Sequence, residues 1–138
     1  MIHAIPKNAV VTDVGSVKLP ILNTWNKLHP RFVASHPMTG TEQSGINAGQ
    51  YNLFKNKPWV VTPSKETDQK ALEIVRQISL SLGSQWISSE AQIHDEAVGL
   101  ISHLPVLISA ALINTLSKEA KPALYLSLIH ISEPTRPY

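Results

Sequence analysis

Short apolar runs alternate with longer amphipathic segments over the first 88 residues of the chain. The short runs are rich in β-branched and aromatic residues, which predicts strands at residues 9–14, 32–35, 58–63 and 85–88. Apolar positions at helical spacing predict helices at residues 17–28 and 67–82, with Gly83 as a C-terminal stop. The predicted buried stripe of the second helix is Leu72, Val75, Ile78 and Leu82. This alternation of elements predicts an α/β domain with a parallel or mixed sheet.

A much longer apolar pattern begins at Ser89 and continues to Lys118. At about 1.5 Å per residue it predicts a helix of about 45 Å. Pro105 lies within this helix and is expected to kink it, because proline cannot donate to the carbonyl of Ile101. The apolar positions are too many for one face, so we expect another helical layer or a partner chain to cover them. The chain is therefore expected to pass into a helical domain near residue 89.

Composition narrows the classes of function. The chain of 138 residues is 43% hydrophobic and 16% charged, which is typical of a globular protein. Its net charge of +2 and scattered basic residues argue against binding to nucleic acid or to an anionic membrane. We also expect no membrane span, because no uninterrupted apolar run reaches about 18 residues. The absence of cysteine excludes disulfides and thiolate metal sites.

Polar residues that could carry chemistry follow the first two predicted strands. His36 is predicted to lie in a loop rich in glycine and threonine where a strand ends, and its imidazole can accept a proton near neutral pH. Ser16 follows Gly15 at the predicted start of a helix, where it could contact a ligand or cap the helix. Ligands of open α/β sheets bind at the carboxyl ends of strands, so this is the expected site. A purely structural hydrogen bond remains the alternative for His36.

Four further polar residues are weaker candidates. Thr41 and Glu42 could orient a substrate or hold His36, or could simply be solvated. His94 and His103 are nine residues apart, which places them on opposite faces of an ideal helix. They could share a pocket only if the helix bends or if two subunits contribute. Since histidines at i and i+4 are absent, no metal site is predicted.

These residues lie in four ordered segments that together resemble the prephenate/arogenate dehydrogenase family of tyrosine biosynthesis. The segments are residues 12–18, 36–42, 52–63 and 94–105, and the resemblance extends from about Ala9 to Leu116. Residues 104–113 look most like cyanobacterial arogenate dehydrogenases. Val106 stands where many prephenate-type members carry a second histidine, which favours the arogenate side.

The resemblance implies a fold and a domain division. Residues 1–88 would form the C-terminal part of a Rossmann-type NAD(P)-binding domain, and residues 89–125 the first long helix of an all-α dimerisation domain. No Gly-x-Gly-x-x-Gly occurs in the chain, so the first βαβ unit is expected to be missing and the chain alone to be inactive. Residues 126–138 resemble a translated sequencing adapter and are expected to be a tail outside the fold.

The resemblance also implies an activity, NAD- or NADP-dependent oxidative decarboxylation of arogenate or prephenate. In this scheme His36 accepts the hydrogen bond of the ring hydroxyl and Ser16 supports it. The implied substrate-pocket residues are Thr41, Glu42, His94 and His103, and the implied cofactor contacts are Gly15, Ser16 and Met38. The full-length protein would be a cytoplasmic homodimer, or a plastid one in a photosynthetic eukaryote. Two alternatives remain: another two-domain hydroxyacid-type dehydrogenase, or a non-catalytic dimerisation or regulatory module.

Overall fold

The computed structural model describes residues 4–41 and 49–115, and the chain divides into two compact units, residues 1–95 and 96–138. The first unit contains the described β-strands. These are β1 (Val11–Thr12), β2 (Phe32–Val33), β3 (Ser35–Pro37), β4 (Pro58–Val61) and β5 (Gln85–Ser88). The α/β class predicted from the sequence is confirmed.

The strands form a mixed arrangement. β1 pairs in parallel with β2, β3 pairs antiparallel with β4, and β4 pairs in parallel with β5. Only Ala34 separates β2 from β3, and its carbonyl accepts a hydrogen bond of 3.0 Å from the Thr62 N–H. Because of this bond, backbone hydrogen bonding continues through Ala34, the residue between β2 and β3.

Two helices of the first unit pack beside these strands. The first is α1 (Leu19–Trp25), which is shorter than the predicted helix at residues 17–28. The second is α2 (Gln69–Ser81), whose first turn is capped by the Asp68 carboxylate accepting from the Ala71 N–H. Gly83 follows α2 with a φ of 77°, a conformation that favours glycine, so the predicted stop is confirmed.

The buried residues of the first unit form two clusters. One contains Leu22, Phe32, Ala34 and Ala91, and the other Val33, Val61, Ala71 and Val75. Neighbouring residues of β2 thus contribute to different clusters, as expected for a strand whose side chains alternate between two covered faces.

The remaining described elements are helical. They are α3 (Ala91–Val98), a π-helical segment (Gly99–His103) and α4 (Leu104–Thr115). The Leu104 N–H donates to the Gly99 carbonyl, five residues earlier, as in a π-helical turn. A widened turn therefore lies just before Pro105, where the sequence predicted a kink.

The helical run Ala91–Thr115 is rich in exposed apolar side chains. By length and composition alone its 25 residues are sufficient to cross a membrane. The sequence has no uninterrupted apolar run of about 18 residues, yet this helix meets both criteria, because a few polar residues interrupt the run without making it hydrophilic. Its strongly exposed apolar residues beyond residue 98 are Leu100, Ile101, Leu104, Val106, Leu107, Ile108 and Leu112.

Candidate active site

His36 lies within a strand. The sequence predicted a loop at this position, but residues 35–37 pair with residues 59–61, and His36 stands opposite Val60. That prediction is wrong because the antiparallel partner β4 extends the regular backbone beyond Ala34. The pairing fixes the backbone of a half-buried histidine, which restricts the directions in which its imidazole can point.

The imidazole of His36 contacts a second histidine. Nδ1 of His36 lies 3.0 Å from Nε2 of His94, and the two rings meet edge to face at an interplanar angle of 81°. His94 is buried and comes from the first turns of α3. Two residues separated by 58 positions along the chain are therefore brought into direct contact.

A carboxylate completes this row of side chains. Nδ1 of His94 lies 2.8 Å from Oδ1 of Asp95. The same carboxylate accepts hydrogen bonds from the backbone N–H groups of Lys18 (2.7 Å) and Leu19 (2.8 Å). Burial raises the pKa of Asp95, but the hydrogen bonds from Leu19, His94 and Lys18 and the attraction of His94 together hold that pKa below its ordinary value. Asp95 is therefore ionised at neutral pH.

A buried ion pair fixes the backbone just before His36. Lys18 is fully buried and forms an ion pair with Asp13, and its Nζ also donates to the Ser35 carbonyl at 2.6 Å. The other carboxylate oxygen of Asp13 accepts from the Ser35 N–H at 3.0 Å. Ser35 is thus held at both its N–H and its carbonyl. These two contacts constrain the backbone from which the next residue, His36, extends.

Sequence reasoning missed Asp13, Lys18 and Asp95 as parts of this site. Asp13 was visible as a carboxylate at a strand end and Asp95 as the neighbour of a candidate histidine. Lys18 gave no such indication, since a lysine near a helix start is usually solvated. Its role depends on contacts with residues far away in sequence, which no local pattern contains.

Ser16 is exposed and lies outside this chain of contacts. The alternative that it caps the helix is wrong, because α1 begins at Leu19 and Lys18 occupies the N-cap position without a side-chain cap bond. Asp95 takes over the capping role, since its carboxylate accepts from the first free N–H groups of α1.

The structure places the other predicted residues as follows. Gly15 is exposed and donates its N–H to Asp13 at 3.2 Å. Met38 is half-buried and continues the β3–β4 pairing by donating to the Pro58 carbonyl at 2.8 Å. Thr41 is half-buried, Glu42 lies outside the described residues, and His103 ends the π-helical segment in the second unit.

No group of three metal-ligating side chains converges within residues 4–41 and 49–115. The assembled set is one of proton donors and acceptors: two imidazoles in contact, with an ionised carboxylate behind them. Such a set can accept a proton from a ligand hydroxyl and stabilise the resulting positive charge.

Comparison with known proteins identifies relatives along most of the chain. Residues 1–88 match the family profile described as the nucleotide-binding domain of prephenate dehydrogenase. Residues 90–128 match the profile described as its dimerization domain.

Individual relatives agree with these profiles. The cyclohexadienyl dehydrogenase of Zymomonas mobilis is 34% identical over 119 residues, which are 85% of this chain and 41% of that protein. The crystal structure of Synechocystis arogenate dehydrogenase shares 39% identity with a TM-score of 0.73, over 91% of this chain and 46% of that one. The crystal structure of prephenate dehydrogenase from Aquifex aeolicus in complex with hydroxyphenyl propionate and NAD+ shares 30% identity with a TM-score of 0.78. The match covers 95% of this chain and 54% of that one.

The chain thus spans about half the length, or less, of the relatives that it matches. Its first 88 residues have the strand and helix order of an α/β nucleotide-binding domain, and the profile covers the whole of that segment. The chain belongs to the prephenate dehydrogenase family.

Proposed function

We propose that this chain carries the proton-accepting residue of an NAD(P)-dependent dehydrogenase that converts arogenate or prephenate by oxidative decarboxylation. The observation that carries the proposal is the contact of His36 with His94, which is backed by the Asp95 carboxylate. The names of the relatives, prephenate, cyclohexadienyl and arogenate dehydrogenase, support the substrate class.

His36 acts on the ring hydroxyl of the cyclohexadienol. Transfer of the hydroxyl proton to the imidazole raises the electron density at the carbinol carbon, whose hydrogen then departs with its electron pair. The ring carboxylate leaves as carbon dioxide and its bonding electrons enter the ring, which becomes a phenolate. The imidazolium of His36 then returns its proton to the phenolate oxygen, which gives the phenol. Aromatisation supplies the driving force, so the protein has mainly to hold the base and the substrate in place.

The cofactor supplies a nicotinamide ring that accepts the hydride. The segment after β1 fits this ring, because Val14 and Val17 are exposed apolar side chains on either side of Gly15, which has no side chain. By family resemblance, Gly15, Ser16 and Met38 contact the cofactor. By the same resemblance, Thr41 and Glu42 are assigned a role in substrate binding, and so is His103.

The chain divides in function near residue 89, with nucleotide binding before it and dimerisation after it. The full-length enzyme is a homodimer, a proposal supported by the dimerization-domain match and by the exposed apolar residues beyond residue 98. We place it in the cytoplasm, by analogy with bacterial biosynthetic relatives.

Replacement of His36 tests this function in a dehydrogenase of the length usual for the family that contains this chain as a segment, called here the family-length dehydrogenase. For His36→Asn we expect kcat to fall by about 10²–10⁴-fold, the usual contribution of a general base. Turnover is measured as cofactor reduction and as carbon dioxide release, with arogenate, prephenate and a simple 2-hydroxy acid, and with NAD and NADP in turn.

His29→Gln is the matched control, because His29 bonds to the Pro6 carbonyl and the Arg31 N–H, away from the His36–His94 pair. Unchanged turnover in His36→Asn would reject the assigned base. Reduction of cofactor by the 2-hydroxy acid without carbon dioxide release would instead support the hydroxyacid-type alternative.

A further inference from the structure

The geometry points to His94 and Asp95 as positioning residues that present Nε2 of His36, and not Nδ1, as the proton acceptor. This inference rests on the proposed role of His36 as the base. Its observations are independent of that role, however, since they are the contacts behind the imidazole.

The argument begins at Asp95. An ionised carboxylate only accepts hydrogen bonds, and three N–H groups are directed at this one: those of Lys18, Leu19 and the His94 ring. His94 therefore carries its proton on Nδ1 and donates it to Asp95. In neutral His94 the other nitrogen, Nε2, is then an acceptor.

The tautomer of His36 follows from that of His94. Nε2 of His94 faces Nδ1 of His36 at 3.0 Å, and as an acceptor it requires a proton on Nδ1 of His36. Neutral His36 consequently has its lone pair on Nε2, the nitrogen on the far side of the ring from His94. This is the logic by which a buried carboxylate sets the tautomer of a catalytic histidine, extended by one imidazole.

The same row can share the proton that His36 accepts. When Nε2 takes the hydroxyl proton, the Nδ1 proton of His36 can pass to Nε2 of His94. The positive charge then lies on His94, in direct contact with the Asp95 carboxylate at 2.8 Å. One proton enters the row and one moves along it, so no other reactant is required.

The position of the row is itself fixed. Asp95 is held by two backbone N–H groups, and His94 is buried. Asp95 is the negative counter-charge in direct contact with His94, whereas the Asp13 carboxylate is paired with Lys18.

Nitrogen-15 NMR of the histidine rings in the chain tests the inference without any turnover. We expect His36 and His94 to be Nδ1–H tautomers at neutral pH. His29 is an internal reference: its Nε2 faces the Pro6 carbonyl and its Nδ1 faces the Arg31 N–H, so it should be the Nε2–H tautomer throughout.

Variants then separate positioning from simple structural support. His94→Leu should return His36 to a mixture of tautomers, whereas His94→Gln, which keeps an acceptor oxygen, should restore the Nδ1–H form. In the family-length dehydrogenase, His94→Leu should lower kcat about tenfold or more with little change in KM, a smaller loss than the 10²–10⁴-fold of the base itself.

An Nε2–H tautomer of His36 in the unmodified chain would overturn the inference, as would an unchanged tautomer in His94→Leu. If His94→Leu fails to fold, the unmodified chain and His94→Gln still decide the question. If His36→Asn leaves turnover intact while the tautomers are as expected, the proposed base is wrong but the positioning of its ring stands.

Discussion

Lys18 uses both its side chain and its backbone at the candidate site. Its ammonium group binds Asp13 and the Ser35 carbonyl, while its N–H donates to Asp95. One residue thereby joins the support of the His36 backbone to the support of its ring. Removing this cation would leave the Asp13 carboxylate without its cationic partner, and an ion pair that has lost one member inside a protein is costly.

Asp95 should make the folded state sensitive to acid. Its pKa is lower in the folded protein than in the unfolded chain, so its stabilisation is present above the unfolded pKa of about 4 and is lost as the pH falls through the folded value. Asp95→Asn should therefore lower the free energy of unfolding at pH 7 by about 1.5–3 kcal/mol, the range for hydrogen bonds to charged groups.

Urea titrations at pH 7, 5 and 3 measure this difference, which should shrink toward the lowest pH. Glu73→Gln serves as the control, since this carboxylate is half exposed and its partners among the described residues are Arg76 and Gln77 on its own helix. The ionic role would be contradicted if Asp95→Asn lowered the free energy of unfolding by the same amount at all three pH values.

At the scale of single residues, the sequence predicted His36 and His94 as candidates but could not predict that they are in contact. Each was judged by its neighbours along the chain, whereas their contact spans 58 residues and that of Asp95 with Lys18 spans 77. The alternative that Ser16 caps α1 is wrong for the same reason: the carboxylate of Asp95, distant in the sequence, accepts from the N–H groups of Lys18 and Leu19.

Among the elements, α2 shows what apolar spacing can and cannot predict. Its helix was predicted within two residues at each end, yet its buried face is Ala71, Val75 and Ser79. The predicted stripe included Ile78 and Leu82, which are 48% and 43% exposed. Small residues pack closely against the strands, and spacing of large apolar residues alone does not reveal such a face.

Truncation of valine in α2 tests this face. Val75 packs with Val33, Val61 and Ala71, so Val75→Ala should lower the free energy of unfolding by about 1–3 kcal/mol through lost packing. Ile78→Ala on the same helix should change it by less than about 0.5 kcal/mol, as surface substitutions do. Thermal and urea unfolding of both variants provide the measurement, and equal losses would favour the predicted stripe instead.

At the scale of the whole molecule, the main feature is the set of exposed apolar side chains beyond residue 98. Leu107 is 67% exposed and is flanked by further exposed apolar residues. Such a surface is unfavourable in water unless a partner covers it. The sequence predicted this need for a cover from the excess of apolar positions, and the dimerization-domain match agrees with it.

Leu107→Glu should therefore weaken self-association of the family-length dehydrogenase. If Leu107 lies in the interface core, the dissociation constant should rise tenfold or more, since loss of a central contact costs about 2 kcal/mol. Light scattering across a concentration series measures this, with Ile78→Glu as the control on α2. Flotation of the unmodified protein with phospholipid vesicles would assign the helix to a membrane instead.

The two hydrogen bonds from α1 to Asp95 also have a consequence for folding. They form only after residues 18–19 and residue 95 have met, so they close one of the longest loops of the first unit. The amide protons of Lys18 and Leu19 are consequently natural reporters of whether the base and its supports are assembled. Their exchange with solvent deuterium should accelerate in any variant that loosens the row, long before the strands or α2 lose protection.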